Sequence, residues 1–468
     1  MRLQAGGPLL LNPSASKPLQ ANQSDKVSDA GVARADDDRL TGTACDVIVI
    51  GGGPAGSTMA ALLAQRGRNV VLLEKSKHPR FHIGESLLPL NLPLFERLGV
   101  GGDIERIGMP KYAAEFVSPW HDGSSTFEFA NAIDKSFPSA YQVRRSEFDD
   151  ILFRNAVCRG ATAVEQCRAT GVEFKAGGAL VTTRGKSGEE RVYEARFVVD
   201  ASGRDTLLAN QFGTKRRNRR HNSAAMFAHF SGAARLPGKA EGNISLFWFE
   251  YGWCWLIPLH DGIVSVGIVC SPTYMKSRKT DPQRFFYDSI ALVPALAERL
   301  REAKLVSPVT ATGNYSYSAD RATGPNYLML GDAFAFIDPM FSTGVYFAMH
   351  SAFVGADVVE ACLDRPREAA RALKAYEAMM RRGPKVFSWF IYRATTPTLR
   401  DLFMKPRMPN VQAGLLSVLA GDVYRNTPIR GRLMVFKAVY YVSSVIHLKR
   451  TALAWLRRKR ALREAFAD

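Results

Sequence analysis

The first strong pattern along the chain is a short apolar, β-branched run at residues 46–50, bounded by glycines. It reads as a buried strand, and the small residues from Ser57 to Gln65 read as the helix after it. A second apolar run at residues 70–73 ends at Glu74 and completes a βαβ unit. Two more buried-type strands are expected at residues 196–200 and 327–330, each running into a small-residue turn, Ala201-Ser202-Gly203 and Gly331-Asp332-Ala333. A parallel sheet assembled from distant pieces follows from this. Between them, residues 222–270 alternate apolar and polar positions with many aromatics, as in Ile244-Ser-Leu-Phe-Trp-Phe249, which predicts a second, mostly antiparallel sheet. From Glu360 onward the pattern is helical and basic, and the first forty or so residues lack the apolar periodicity of a packed element. That opening stretch is expected to be a disordered leader.

With 468 residues and 46% hydrophobic content the chain can bury a large core in two or three units. Six cysteines are scattered without a CxxC pair or zinc-ligand spacing, so reduced thiols, a cytoplasmic setting and no metal site are expected. The patch Pro8-Leu-Leu-Leu11 is too short for a secretory signal. No run reaches the roughly 18 uncharged apolar residues that a spanning helix needs. The net charge of +18 favours acidic partners: a carrier protein or an anionic membrane surface, with nucleic acid ranked below both and not expected.

Chemistry enters at the first turn. Gly51, Gly53 and Gly56 stand between strand and helix in the spacing that lets backbone approach a pyrophosphate at a helix N-terminus. Glu74, at the end of the second strand, is placed to accept from a ribose diol. Lys75 and Arg204 hint at a 2′-phosphate, but the acid at Glu74 disfavours one, and FAD is the dinucleotide expected.

Several segments carry a family likeness: Gly51-Gly-Gly-Pro-Ala-Gly-Ser57, Pro79-Arg-Phe-His-Ile-Gly-Glu-Ser-Leu-Leu-Pro89, Tyr141-Gln-Val-Arg-Arg-Ser-Glu-Phe-Asp149, Asp200-Ala-Ser-Gly-Arg204 and Gly331-Asp332. Two more segments belong with these: Trp253-Cys-Trp-Leu-Ile-Pro258 and Phe336-Ile-Asp-Pro-Met-Phe-Ser-Thr-Gly344. On these residues the chain resembles the flavin-dependent halogenases, above all those acting on pyrrole or phenol rings, and more distantly the flavin aromatic hydroxylases.

The resemblance implies an α/β fold: an FAD-binding Rossmann-like domain over residues 44–221, with 310–360 returning to it, and an inserted antiparallel substrate-sheet domain over 222–309. A leader at 1–43 and a helical C-terminal region at 361–468 with a basic tail complete the expected division. It implies flavin contacts at Gly51, Gly53, Ala55, Gly56, Ser57, Glu74, Glu85, Ser86, Arg145, Asp332, Thr343 and Gly344. Thr343 and Gly344 are also the implied halide-binding amides. Trp253, Trp255 and Phe341 are the implied substrate-pocket residues, although two indoles at period two also suit plain sheet packing.

Lys111, within Met109-Pro-Lys-Tyr-Ala-Ala-Glu-Phe116, resembles the family's catalytic lysine. Pro110 abuts it, one residue short of the Phe-Pro-x-Lys spacing, which leaves Tyr112 as the other occupant of that place. The implied cofactors are FAD as FADH2, O2 and chloride or bromide, giving hypohalous acid. At Lys111 an ammonium hydrogen-bonds the oxidant or a neutral amine forms a haloamine; apolar surroundings lower the lysine pKa from about 10.4 and ease the second route. Tryptophan halogenases place a glutamate before Ser-Thr-Gly, where this chain has Phe341, so a phenolic or pyrrolic ring is the expected substrate. With a single dinucleotide fingerprint, a separate flavin reductase is the expected partner. The alternatives within enzymes are an aromatic hydroxylase and a polyprenyl or polyene reductase; a silent flavoprotein serving assembly is the alternative outside them. The basic tail from Lys449 to Arg463 reads as a solvated helix, a dock for an acidic acyl carrier protein presenting the substrate, or a peripheral membrane contact.

Overall fold

The computed structural model describes residues 32–33, 44–313, 315–406 and 408–465. The expected leader therefore lies outside the described residues, except that Val32–Ala33 pairs in parallel with Thr162–Val164 at the sheet edge.

The βαβ unit forms as strand Ala44–Ile50, helix Pro54–Gln65 and strand Val70–Leu73. Both strands sit inside a nine-stranded sheet and are covered on both faces, which is why their sequence is a continuous apolar run rather than an alternation. The long strand Glu190–Asp200 lies beside Ala44–Ile50; its last residues also pair in parallel with Tyr327–Met329, while its first half pairs antiparallel with Gly178–Arg184. Four chain segments thus leave the parallel part at the same edge, at Gly51, Glu74, Ala201 and Leu330. Ligands of open α/β sheets bind at that edge.

The second sheet has eight strands, and its order runs Lys304–Leu305, Ala224–Ser231, Ile263–Cys270, Gly252–Pro258, Ile244–Phe249, Ala113–Val117 and Ser124–Glu128. It is antiparallel except where Ile244–Phe249 meets Ala113–Val117. Its make-up corrects the expected division at residue 222: two of its strands come from the stretch assigned to the first domain. Phe116 and Phe127 accompany the recruitment: the two rings meet edge to face, Phe116 stacks on Trp248 of the second sheet, and both pack on Phe403 of helix Pro397–Met404. Thr310–Gly313 likewise pairs with Ala224–Ser231 instead of returning to the first sheet.

Alternation gives this sheet two apolar faces. Cys254, Leu256, Val266 and Ile268 pack under helix Pro282–Ala291, through Phe286 and Ile290. Phe227, Trp253 and Trp255 face the other way, toward the first sheet and the C-terminal helices. Those helices are Pro366–Ile391, Pro397–Met404, Pro409–Leu419, Arg430–Ile446 and Leu448–Ala465. No described helix is long and apolar enough to cross a membrane.

Candidate active site

A cavity of about 830 Å³ opens between the carboxyl edge of the parallel sheet and the tryptophan face of the second sheet. At one end stands the glycine turn. Gly51 has φ +106°, and a Cβ there would meet Ala201 O at 2.4 Å. A Cβ on Gly56 would come 1.8 Å from Gly51 O, so this glycine lets the helix close onto the strand rather than facing the cavity. Gly53 faces open space, its nearest neighbour being Arg80 at 3.6 Å, and with Ala55 it lines the cavity. No side chain caps helix Pro54–Gln65, which leaves its first amides for a ligand. The Ser57 hydroxyl turns away and donates to Gly52 O at 3.0 Å.

Glu74 is buried and already fixed: Oε2 accepts from Gly52 N at 2.8 Å and Oε1 from Ser76 N at 2.9 Å. Each oxygen retains a lone pair for a ribose hydroxyl. Arg80 lies beside it, Nε 3.4 Å from Glu74 Oε1, and its Nη1 donates to Asp149 at 3.0 Å. Arg145 grips the same Asp149 with two hydrogen bonds and donates to Ile83 O at 2.9 Å, tying the segment before Gly84 in place. Burial works to raise the Asp149 pKa, but Arg145 and Arg80 overcome it and hold the carboxyl below its usual range.

In the middle of the cavity, Glu85 Oε1 lies 2.7 Å from His229 Nε2, and Glu85 Oε2 is buried without a hydrogen-bond partner. An orphaned acceptor on the wall is what a bound group with its own N–H or O–H donors would satisfy. Asp332 and Arg204 line the opposite side. Burial pushes the Asp332 carboxyl up to about 6, against the pull of Arg204 and Arg145. Asp200 accepts from Ser202 N and Leu208 N, which fixes the turn carrying Arg204.

Thr343 and Gly344 open the helix Gly344–Asp364 and line the far end, where helical amides have no intrahelical acceptor. The turn before them, Pro339–Phe341, is capped by Asp338, which accepts from Met340 N at 3.1 Å. Asp338 is held in turn by Ser223 Oγ at 3.0 Å and His221 Nε2 at 2.8 Å.

Trp253 and Trp255 line the wall with ring centroids 5.9 Å apart, and Trp255 Nε1 donates to Ser265 Oγ. Phe341 does not line this cavity: its ring packs against Phe387 and Phe390, and Met340 takes the wall position. The reason is the tight turn, in which successive side chains point to different sides.

Lys111 ends the strand Met109–Lys111, paired with Ala140–Gln142, and stands one hydrogen bond behind the wall. Only 2% of it is exposed. Its Nζ donates to Ser86 Oγ at 2.9 Å and to Leu87 O at 3.0 Å, and lies 5.2 Å from the centroid of the Phe129 ring. No carboxylate among the described residues bonds it, and burial pulls its pKa down to about 7.

The geometry adds residues that sequence reasoning passed over. Arg80 sits inside a segment noted only for its likeness, yet a cation a few residues beyond Glu74 was itself a signal. His229 lies in a strand 144 residues from Glu85 and carried none.

The residues fit FAD: a glycine cradle that side chains would fill, a fixed acid at the ribose end, cations over the turn and an unfilled acceptor. Comparison with known proteins agrees. The family model described as tryptophan halogenase matches residues 46–134 and 124–401. A 1H-pyrrole-2-carbonyl-[peptidyl-carrier protein] chlorinase of Pseudomonas fluorescens is 31% identical over 81% of this chain and 89% of its own length. The myxobacterial chondrochloren halogenase CndH is 31% identical over 82% of this chain and 92% of its own, with a TM-score of 0.72. A flavoprotein/dehydrogenase from Cytophaga hutchinsonii superposes with a TM-score of 0.78 at 29% identity, over 86% of this chain and all of its own. The chain belongs to the flavin-dependent halogenases.

Proposed function

We propose that this halogenase places chloride or bromide on an electron-rich ring, a pyrrole tethered to an acidic acyl carrier protein before a free phenol. The observation that carries the chemistry is the amine of Lys111, buried without a carboxylate partner and joined to the cavity wall through Ser86. The reading of the substrate is supported by the chlorinase relative, which acts on a carrier-bound pyrrole, and by a net charge of +18 suited to an acidic carrier.

Reduced FAD with O2 supplies the two-electron oxidation that turns halide into hypohalous acid. The glycine turn, Glu74 and Arg80 would hold the dinucleotide, and the amides of Thr343 and Gly344 would hold the halide. Trp253 and Trp255 keep the ring substrate out of the flavin cavity. With a pKa of about 7, Lys111 is substantially neutral near that pH. Its nitrogen takes the halogen as the O–halogen bond of hypohalous acid breaks, and the hydroxyl leaves as water with one amine proton; transfer of the halogen to the ring carbon then restores the amine, which recovers a proton as the carbon loses one. A separate flavin reductase supplies the reduced cofactor.

The test incubates the FAD-loaded protein with NADH, a flavin reductase, chloride or bromide, and pyrrolyl-carrier, free pyrrole and phenol substrates. Mass spectrometry is expected to show halogenated pyrrolyl-carrier above the free rings. Lys111→Met is expected to keep FAD and NADH-driven oxygen consumption while losing more than about 100-fold in halogenated product. Near-normal product from that variant would remove Lys111 from the chemistry, and hydroxylated product from the wild type would overturn the activity.

A further inference from the structure

The outer face of helix Arg430–Ile446 is apolar. Its inner face is anchored by Phe436 and Tyr440, which are buried against Trp389. Met434, Val435, Tyr441, Val442, Val445 and Ile446 point outward, and their spacing traces one helical stripe, with Val445 71% and Ile446 70% exposed. A surface helix normally turns polar residues outward, so this face is inverted. The stripe continues into helix Leu448–Ala465 with Leu448, Leu453, Trp455 and Leu456. Ten of the nineteen exposed large apolar residues of the described chain fall between Met434 and Leu456; the other nine are spread over the rest of it. A cluster of that kind marks an interaction surface.

Charge identifies the partner. From Arg425 to Arg463 the sequence holds eleven lysines and arginines and no aspartate or glutamate. A few of these cations are used by the body: Arg425 reaches Asp134, Arg450 reaches Asp401, and Arg458 turns inward to Tyr392 O and Arg220 O. Arg457 also reaches Glu250 at 4.0 Å. Other basic residues, Arg430, Arg432, Lys437, Lys449 and Lys459 among them, belong to the same two helices as the apolar stripe, and Lys459 lies 4.7 Å from the centroid of the Trp455 ring. A second copy of the chain would bring the same positive field and be repelled. An acidic protein would answer the cations but leave much of a stripe about 25 Å long, the length of a 17-residue helix, uncovered. An anionic bilayer answers both, taking aliphatic side chains among its acyl chains and cations among its headgroups.

We propose that helices Arg430–Ile446 and Leu448–Ala465 form a peripheral binding face for an anionic phospholipid bilayer, lying in the plane of its surface. The proposal is independent of the ring substrate.

Sedimentation of the full-length, FAD-loaded protein with vesicles tests it. Binding to mixed phosphatidylcholine–phosphatidylglycerol vesicles is expected to exceed binding to phosphatidylcholine alone by at least about tenfold and to weaken as salt rises. The triple variant V442E/V445E/I446E is expected to lose that binding while keeping its FAD content, Tm and halogenation. Trp455 emission, read as wild type minus W455F, is expected to shift blue with the mixed vesicles only, which tests the face without the triple variant. Absence of wild-type binding to the mixed vesicles, or equal binding by the triple variant, overturns the proposal. So does a lipid-free dimer dissolved by the triple variant, which makes the face a self-interface, or capture of an acidic carrier protein at this face without vesicle binding.

Discussion

The glycine turn at residues 51–56 and the surroundings of Lys111 serve one cavity and are built in opposite ways. The turn presents backbone to the cavity, and its shape depends on what is missing: a Cβ at Gly51 or Gly56 would strike a neighbouring carbonyl oxygen. The lysine depends on what is present, namely a hydroxyl, a carbonyl and a ring arriving from Ser86, Leu87 and Phe129. A steric complement fails abruptly when a single atom is added. An arrangement held by burial and hydrogen bonds changes by degrees with charge and pH.

Gly56→Val tests the abrupt side and carries the largest expected effect. Its Cβ cannot avoid Gly51 O, so strand and helix separate, with loss of FAD binding and a Tm lower by more than about 5 °C by calorimetry. Gly53→Val, whose side chain enters open cavity, is expected to keep the wild-type Tm and lose FAD affinity alone. Equal behaviour of the two would erase the distinction between packing glycine and ligand-facing glycine. A smaller effect is expected from Arg80→Gln, which removes a cation above the turn: FAD affinity, followed by flavin fluorescence, should weaken about tenfold and lose part of its salt dependence.

The smallest effect belongs to the lysine and is read in stability. Between about 7, where burial places the Lys111 pKa, and the ordinary value near about 10.4, the unfolded chain holds a proton that the folded chain has released. Folded stability from this group therefore rises with pH across that window and is poorest below it. Lys111→Met lacks the titration, so its Tm relative to wild type should be highest near about pH 6 and fall by about 2 °C or more toward pH 9. A difference that stays flat with pH would mean that the amine is not desolvated.

What the sequence revealed follows the same divide. Gly51, Gly53, Gly56 and Glu74 were legible because their chemistry is local: a turn, a helix start and a strand end within a few dozen residues. Lys111 was singled out only through likeness to a family, since spacing alone left Tyr112 as a rival, and its contact with Ser86 was not legible. His229 beside Glu85 and the capture of Ala113–Val117 by the second sheet were not legible, because both are contacts across more than a hundred residues with no local period to announce them. The direction of the Phe341 ring was not legible either: a tight turn sends it toward Phe387 and Phe390 and leaves Met340 on the cavity wall, and composition does not encode that.

The two acceptors around Lys111 have a stereochemical consequence. A neutral primary amine carries two hydrogens and one lone pair at the corners of a tetrahedron. Ser86 Oγ and Leu87 O, at 2.9 and 3.0 Å, take up both hydrogens. The lone pair is then confined to the one remaining corner, and the nitrogen presents a single nucleophilic direction. In the ammonium form that corner would hold a third hydrogen, and among the described residues Lys111 makes no third hydrogen bond. Burial favours the uncharged amine, and the two acceptors fix the line along which it meets an electrophile.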